Sequence, residues 1–390
     1  PFIEAIRQLR NEMGKKKTCF VHVTLVPFIN AAKELKTKPT QHSVKELQGM
    51  GIQPDILLCR SEVEIPIEQR NKIAQFCNVN KNAVIEGIDV ASIYQVPIAY
   101  HKANFDKEIL SFFNLNTNKK PNLNVWEKLV KTQNLSEGNV NIGIVGKYTT
   151  IIDSYKSLVE AIIHGGIANK VNVNLVWIDS ENIDDKIDCF KDINGIIVPG
   201  GFGERGSDGK INSIKFARLN NIPFFGICLG MQLAVIEFAR NVMKLSNASS
   251  TEFGNTIYPI ISLMTEWQSN NGMERRDILA EYGGTMRLGS YECHLLENSK
   301  IFKIYKNKVI YERHRHRYEV NLRLCKNFEK KGLIFSGLSP NKILPETLEI
   351  QHHPWFLGVQ FHPELKSRPF DPHPLFVSFI DASLKQSRLI

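Results

Sequence analysis

The sequence has no run of about 18 uncharged apolar residues, the length that an α-helix needs to cross a bilayer, so no membrane partner is predicted. It has only seven cysteines in 390 residues, an odd number without any Cys-x-x-Cys spacing. This pattern argues against a zinc ribbon or a disulfide framework and favours a reducing, cytoplasmic setting. No zinc finger, RNP-type motif or aromatic-interleaved basic stripe accompanies the net charge of +9, so nucleic acid is not expected as a partner.

What is present is an alternation of strand-like and helix-like patterns, which predicts an α/β fold in two parts. The first part is residues 1–113, and an asparagine- and lysine-rich stretch, 114–139, is interpreted as a linker with a short helix around Trp126. Within the first part, strands are predicted at 19–26 and 55–59, a polar segment at 36–41, and helices at about 43–49, 66–76 and 105–112.

The second part, residues 140–390, has the strand–helix spacing of a mainly parallel, doubly wound sheet. Strands are predicted at 140–146, 172–178, 195–199 and 223–227, with helices at about 154–164 and after the last strand, then strand-rich stretches at 308–320 and 333–361 and a final helix near 373–382.

The strongest chemical signal is Gly226-Ile227-Cys228-Leu229-Gly230, which follows the apolar run 222–225. Gly-x-nucleophile-x-Gly at a strand-to-helix turn is typical of a nucleophile elbow, in which glycines permit a strained turn. A helix N-terminus and a nearby imidazole would favour the reactive thiolate. The alternative is a structural cysteine in a turn.

Two further motifs complete a candidate site. In Phe361-His362-Pro363-Glu364, residues two apart share one face if the chain is extended, so Glu364 can orient the imidazole while His362 takes the thiol proton. In Pro199-Gly200-Gly201, glycines after a strand can present backbone N–H groups to an oxyanion, although an ordinary turn is the alternative.

Together these motifs resemble class I glutamine amidotransferases. The resemblance implies attack of the thiolate on the glutamine amide, release of ammonia and hydrolysis of a γ-glutamyl thioester. By resemblance, the catalytic triad is Cys228, His362 and Glu364, the oxyanion and substrate contacts come from Gly200 and Gly201, and the glutamine site is lined by Leu229, Gly230, Met231 and Gln232.

Four other strings, at 36–44, 250–253, 283–289 and 312–320, resemble the CTP synthase family, and the resemblance runs in order over essentially the whole chain. It implies a ligase of pyrimidine biosynthesis that uses ATP and Mg²⁺ to aminate UTP to CTP with ammonia from glutamine. It also implies GTP as an allosteric activator, CTP as an inhibitor and a homotetramer.

The same resemblance implies further binding residues, for which a polar loop or a cationic surface strand is the alternative. Glu252 suits the glutamine α-ammonium and Arg317 its α-carboxylate. The implied UTP/CTP-binding residues are Lys36, Thr37, Lys38, Pro39, Thr40, Gln41 and Lys72, Val90 is implied for ATP, and Arg205, Gly206 and Arg276 for GTP.

The sequence also departs from the family. No Gly-x₄-Gly-Lys-[Ser/Thr] loop is present, and the chain opens at Pro1 directly with a helical pattern. We therefore expect the chain to lack the N-terminal phosphate-loop part, to hold the C-terminal half of a P-loop-like synthetase domain without a metal site, and to retain mainly glutamine hydrolysis. The alternatives are a stand-alone glutaminase, which residues 36–41 argue against, and a non-catalytic regulatory remnant, which the intact triad argues against.

Overall fold

The computed structural model describes residues 1–116, 119–147, 152–183, 187–263, 266–269, 272–275 and 286–388. These residues form two compact units, Pro1–Asn134 and Leu135–Ile390. No helix in the described ranges is long and apolar enough to cross a membrane.

The first unit contains a three-stranded parallel sheet in the order β1-β4-β5, with helices packed against it. Strand β4 is the centre of its core, because Leu57 packs with one apolar cluster and Ile56 with another, as expected for a strand covered on both faces. The elements are α1 Phe2–Met13, β1 Val21–Leu25, β2 Phe28–Ile29, β3 Glu34–Leu35, α2 Lys38–Gly49, β4 Ile56–Ser61, α3 Ile67–Cys77, β5 Val84–Ile88, α4 Val96–Lys102, α5 Phe105–Phe112 and α6 Asn124–Asn134.

Helix α2 begins at Lys38, five residues earlier than the sequence predicted. Pro39 occupies its first turn, where a missing N–H costs no helical hydrogen bond. The polar segment 36–41 is therefore largely the first turn of a helix and not a loop. Strand β5 was not predicted, since Glu86 and Gly87 interrupt its apolar pattern.

The second unit is built on a nine-stranded sheet in the order β15-β14-β17-β18-β19-β9-β8-β6-β7. A smaller sheet, β10-β11-β16, and the hairpin β12-β13 accompany it. The elements are β6 Asn139–Gly146, α7 Lys156–Ala168, β7 Asn172–Asp179, β8 Gly195–Val198, α8 Ser207–Leu219, β9 Phe224–Ile227, α9 Leu229–Asn241, β10 Ala248–Ser250, β11 Tyr258–Leu263, β12 Glu266–Ser269, β13 Gly272–Arg275, β14 Arg287–Leu295, α10 Lys300–Tyr305, β15 Val309–His316, β16 Tyr318–Val320, β17 Leu333–Leu338, β18 Pro345–Ile350, β19 Phe356–Val359 and α11 Pro374–Ser387.

Helices cover both faces of the parallel half of this sheet, from β19 to β7. Phe224 faces the core formed with α8 and α9, whereas its neighbour Phe225 faces the core formed with α7 and α11. This alternation explains why β8 and β9 are apolar at every position. The predicted α/β fold with a doubly wound second unit is confirmed.

The order of the parallel strands places their carboxyl ends at one edge. Strand β6 lies between β7 and β8, so the chain winds first to one side of β6 and then to the other, and the carboxyl ends of β6 and β8 open a crevice. Gly146, Val198, Ile227 and Val359 are the last residues of β6, β8, β9 and β19. The chemical motifs at 199–203, 228 and 362–364 all follow these strand ends.

Candidate active site

Cys228 lies at the turn between strand β9 and helix α9. Its backbone has φ 51° and ψ −103°, a conformation that is strained for a residue with a side chain. Gly230 permits the turn, because a Cβ there would lie 2.0 Å from the Val198 carbonyl oxygen. The Cys228 N–H donates to the Val359 carbonyl oxygen at 2.7 Å, which ties the turn to strand β19. This is the backbone geometry of a nucleophile elbow.

His362 and Glu364 form a close pair, with 2.7 Å between Nδ1 of the ring and Oε1 of the carboxylate. The sequence-based reason for the pairing, an extended chain, is wrong. Strand β19 ends at Val359, and Glu364 lies in a 3₁₀ turn, Pro363–Leu365, that begins directly after His362. A tight turn, rather than strand alternation, brings the carboxylate to the ring.

The electrostatics of His362 favour its protonated form. Burial lowers the pKa of His362, but the negative charge of the Cys228 sulphur and the hydrogen bond with Glu364 raise it to about 11. The Nε2 atom has no hydrogen bond of good geometry to any described residue. We therefore attribute the influence of Cys228 mainly to the charge of the sulphur. A charged imidazole next to a cysteine side chain is an arrangement that can activate a cysteine nucleophile.

Gly200 lies where the side chains of Cys228 and His362 approach one another. A Cβ on this residue would lie 2.8 Å from Cε1 of His362 and 3.6 Å from Cβ of Cys228. The ring and the cysteine side chain therefore approach the same point on the chain after strand β8, and a side chain at Gly200 would displace the ring.

A cavity of about 350 Å³ lies over this point, a volume suited to a small metabolite. One wall comes from the segment before helix α7 and its first turn, the other from the ends of the parallel strands and from strand β15. The lining residues are Asp153, Ser154, Tyr155, Lys156, Ser157, Leu158, Pro199, Gly200, Gly201, Phe202, Cys228, Arg315, His362, Glu364 and Leu365.

The residues after Cys228 that were predicted to line the glutamine site lie deeper in the protein. The Leu229 side chain is 3.4 Å from the position of a Cβ on Gly201. Met231 is fully buried in the core, and Nε2 of Gln232 donates to the Tyr318 carbonyl oxygen at 2.9 Å. Gly230 packs against strand β8, and none of these four is among the described residues that line the cavity.

Glu252 and Arg317 lie outside the cavity lining as well. Oε1 of Glu252 accepts a hydrogen bond from the Gly203 N–H at 2.7 Å. Burial raises the pKa of Glu252, and the Gly203 bond and the charges of Lys147 and Arg317 act in the opposite direction. Arg317 is half-buried between strands β15 and β16. The two predicted ligands thus lie close enough to influence one another.

Three side chains at the site were not assigned a role from the sequence. Gln360 is fully buried, and its Nε2 lies 3.7 Å from the Cys228 sulphur. The sequence offered one indication of this position, because Gln360 lies two residues before His362. Arg315 lines the cavity, and the alternation of arginines in 313–317 was visible without indicating which one does so. Lys210 is buried beside Gly201, and no motif distinguishes it.

The predicted nucleotide residues lie in the first unit. Lys36 pairs with Glu34 at the surface, and Lys38, Pro39 and Lys72 are exposed. Val90 is half-buried just after strand β5.

Three hydroxyl and amide groups of this region bond within the unit. Thr40 is fully buried, and its hydroxyl bonds to that of Thr24 at 2.9 Å and to the Leu25 carbonyl oxygen at 3.0 Å. The Thr37 hydroxyl accepts from Nε2 of Gln41 at 3.1 Å. These bonds hold the first turn of α2 in place.

The residues implied for GTP lie partly outside the described structure. Arg205 is exposed, with Nε 2.8 Å from Oε1 of Glu181. Gly206 precedes helix α8 in a left-handed conformation, φ 70°. Arg276 lies outside the described residues, as do 283–285 of the string at 283–289.

Comparison with known proteins gives matches over the whole chain. The family model described as glutamine amidotransferase class-I matches residues 150–382, and the model described as CTP synthase N-terminus matches residues 1–115. A CTP synthase from Rhodospirillum rubrum is 57% identical over 392 residues, which cover 100% of this chain and 72% of that protein. A CTP synthase from Novosphingobium aromaticivorans is 58% identical over 394 residues with the same coverage.

A solved structure, described as Trypanosoma brucei CTPS glutaminase domain with bound acivicin, matches with a TM-score of 0.57 at 38% identity. It covers 63% of this chain and 94% of that chain. The amidotransferase fold of the second unit is confirmed by this match. The expectation that the N-terminal part of the family is lacking is not supported, because residues 1–115 match the model of that N-terminus.

Proposed function

This chain belongs to the CTP synthase family, and on that basis we propose that it hydrolyses glutamine at Cys228 and passes the ammonia to the ATP-dependent amination of UTP. The observation that carries the proposal is the meeting of three strand ends. They place a strained Cys228, the His362–Glu364 pair and the side-chain-free Gly200 around one cavity.

The chemistry proposed at this cavity has two steps. The Cys228 sulphur attacks the side-chain carboxamide carbon of glutamine, and the C–N bond breaks as His362 gives its proton to the departing ammonia. Water then attacks the thioester carbon, His362 takes a proton from that water, and the C–S bond breaks to return the thiolate and release glutamate. Glu364 holds the ring at Nδ1 throughout, so that Nε2 faces the reacting atoms.

Backbone N–H groups are proposed to stabilise the negative charge that develops on the carboxamide oxygen of glutamine. We propose that Gly200 and Gly201, after strand β8, and Leu229, at the start of helix α9, direct N–H groups and the helix dipole toward the carboxamide oxygen. The paired glycines lie in the cavity wall, which supports this role. Gly230, Met231 and Gln232 support the elbow from the core, and Glu252 and Arg317 are proposed to bind the α-ammonium and α-carboxylate of glutamine.

The first unit is proposed to bind the nucleotide substrates. Lys36, Lys38 and Lys72 are exposed cations that suit phosphate groups, and the first turn of helix α2 offers free N–H groups to the same anions. Thr37, Pro39, Thr40 and Gln41 shape that turn, and Val90 is proposed from the family alone to contact the ATP base. Activation by GTP through Arg205, Gly206 and Arg276, inhibition by CTP, and a homotetramer are proposed from the family alone.

The family also implies Mg²⁺. Within the described ranges, no group of three or more His, Cys, Asp or Glu side chains is arranged to hold a metal ion. No step of the proposed reaction is assigned to the metal. A stand-alone glutaminase and a non-catalytic remnant are not favoured, since both family models match and relatives align over the full chain.

The test is Cys228→Ala with two assays. We expect the variant to lose glutamate release from glutamine and glutamine-dependent CTP formation. It should keep CTP formation with ammonium salts, since the ammonia then bypasses the thiol. Cys189→Ala, which alters an exposed cysteine outside the cavity lining, is the matched control and should behave as wild type. Unchanged glutamate release from Cys228→Ala would refute the assignment of the nucleophile.

A further inference from the structure

Lys210 is a buried cation without a counter-ion among the residues that the structure describes. It lies in the first turn of helix α8 and is only 2% exposed, and it forms no hydrogen bond or ion pair through its ammonium with any residue that the structure describes. Burying an ammonium group without a partner is costly, and buried lysines in proteins are normally paired. The triad mechanism above does not use this residue.

Two further features make the position unfavourable for a lysine. The N-terminal turn of a helix carries the positive end of the helix dipole, which repels a cation. The charge of Lys147 lies close enough to act on Lys210 as well. Burial, followed by the charge of Lys147, lowers the pKa of Lys210 to about 8, so the protonated form still predominates at pH 7. The folded protein therefore has a positive charge at a position where burial, the helix dipole and the charge of Lys147 all disfavour it.

The position of helix α8 directs Lys210 toward the candidate active site. Gly209 packs so tightly that a Cβ on it would lie 1.9 Å from the Ser180 carbonyl oxygen. This close approach brings Nζ of Lys210 to 3.9 Å from the position of a Cβ on Gly201.

The loop after strand β8 is held on both sides. The Lys147 ammonium donates to the Phe202 carbonyl oxygen, and the Gly203 N–H donates to Glu252. The Lys210 ammonium therefore lies behind a fixed backbone turn whose front lines the cavity.

We propose that Lys210 is a positioning residue for glutamine hydrolysis. Its ammonium group adds positive charge behind the turn at Gly200 and Gly201, whose backbone N–H groups stabilise the negative charge on the carboxamide oxygen. The proposal rests on the proposed function of Cys228. Lys210 does not touch the reacting atoms and acts through the Gly201 peptide. A fixed positive charge behind backbone donors stabilises an oxyanion without reorganising when the charge forms. This role explains why a buried lysine with no ion pair in the described part of the chain is retained despite its cost to stability.

The test is Lys210→Met, which removes the charge and keeps a side chain of similar length. We expect kcat for glutamate release to fall about 10- to 100-fold, less than the 10²- to 10³-fold loss of a direct oxyanion donor, with KM changed less than about threefold. The midpoint of thermal unfolding should rise, because an uncompensated buried charge is gone. Lys215→Met, at an exposed position of the same helix, is the matched control and should change neither quantity.

A second measurement separates effects on the oxyanion from effects on the sulphur. Iodoacetamide alkylates a thiolate without forming an oxyanion, so its rate of inactivation should be the same in Lys210→Met and wild type within about twofold. Inactivation slowed as much as hydrolysis would overturn the proposal, as would a lowered unfolding midpoint or wild-type kcat. If Lys210→Met is fully active while Cys228→Ala is inactive, this inference fails and the proposed function stands. If both variants are active, the proposed function itself fails.

Discussion

The substitution Gly200→Ala tests the geometry of the candidate site most directly. The new methyl group would lie 2.8 Å from Cε1 of His362, whereas ordinary contacts begin at about 3.4 Å, so the ring must retreat by roughly 0.6 Å. The ring is held on its other side by the bond to Glu364. Misplacement of a catalytic group by about 1 Å can cost about 100-fold, so we expect kcat/KM for glutamine hydrolysis to fall about 10- to 100-fold.

The matched control for this substitution is its neighbour. A methyl group on Gly201 would meet Cδ2 of Leu229 at 3.4 Å, an ordinary contact, and its backbone N–H would remain. Gly201→Ala should therefore lose much less activity than Gly200→Ala. Both rates are measured by glutamate release, with the unfolding midpoint recorded for each variant. Equal activities of the two variants, with both folded, would refute the placement of His362 against Gly200.

Two further predictions concern ionisable groups. Glu364→Gln removes a carboxylate that raises the pKa of His362, so the ring should lose its proton at lower pH, and the basic limb of the pH profile for glutamate release should move to lower pH with about a tenfold loss of kcat/KM. His353 is buried, which lowers its pKa to about 4, while its ring bonds the Ala217 carbonyl oxygen. Its folded-state pKa lies below the unfolded value of about 6.5, so its contribution to stability should be complete above that pH and fall by up to about 3 kcal/mol as the pH drops toward 4. Urea unfolding at several pH values should show a flatter dependence for His353→Gln, and an unchanged slope would contradict the assignment.

The elements that sequence alone predicted share one property. Strands β6, β8 and β9 are short apolar runs with buried residues at nearly every position, so their patterns are strong. Helix α8 was missed, because its first turn, Ser207–Lys210, reads as polar loop and contains a glycine. Its buried face appears only when the helix packs against α9 and the sheet.

The candidate site shows the same difference between what local sequence patterns indicate and what depends on packing. Local motifs made Cys228, His362 and Glu364 the candidate triad, because an elbow glycine pattern and a His-Pro-Glu string each lie within a few residues of the chain. The reason for the pairing of His362 with Glu364 was misjudged, since a 3₁₀ turn and an extended chain can both place residues two apart on one side. Arg315 lines the cavity because of the way strand β15 lies against the cavity, and the sequence does not show this arrangement.

The sequence by itself therefore determined the α/β class, the parallel strands and the candidate nucleophile with its proposed partners, since each depends on periodicity or on residues close together in the chain. Only the tertiary structure decided that Gly200 lies against the ring of His362 and that Lys210 lies buried behind Gly201, without an ion pair to any described residue. These contacts join the ends of separate strands and the packing of separate helices. Their distances follow from how whole elements pack, and no local pattern of residues records such packing.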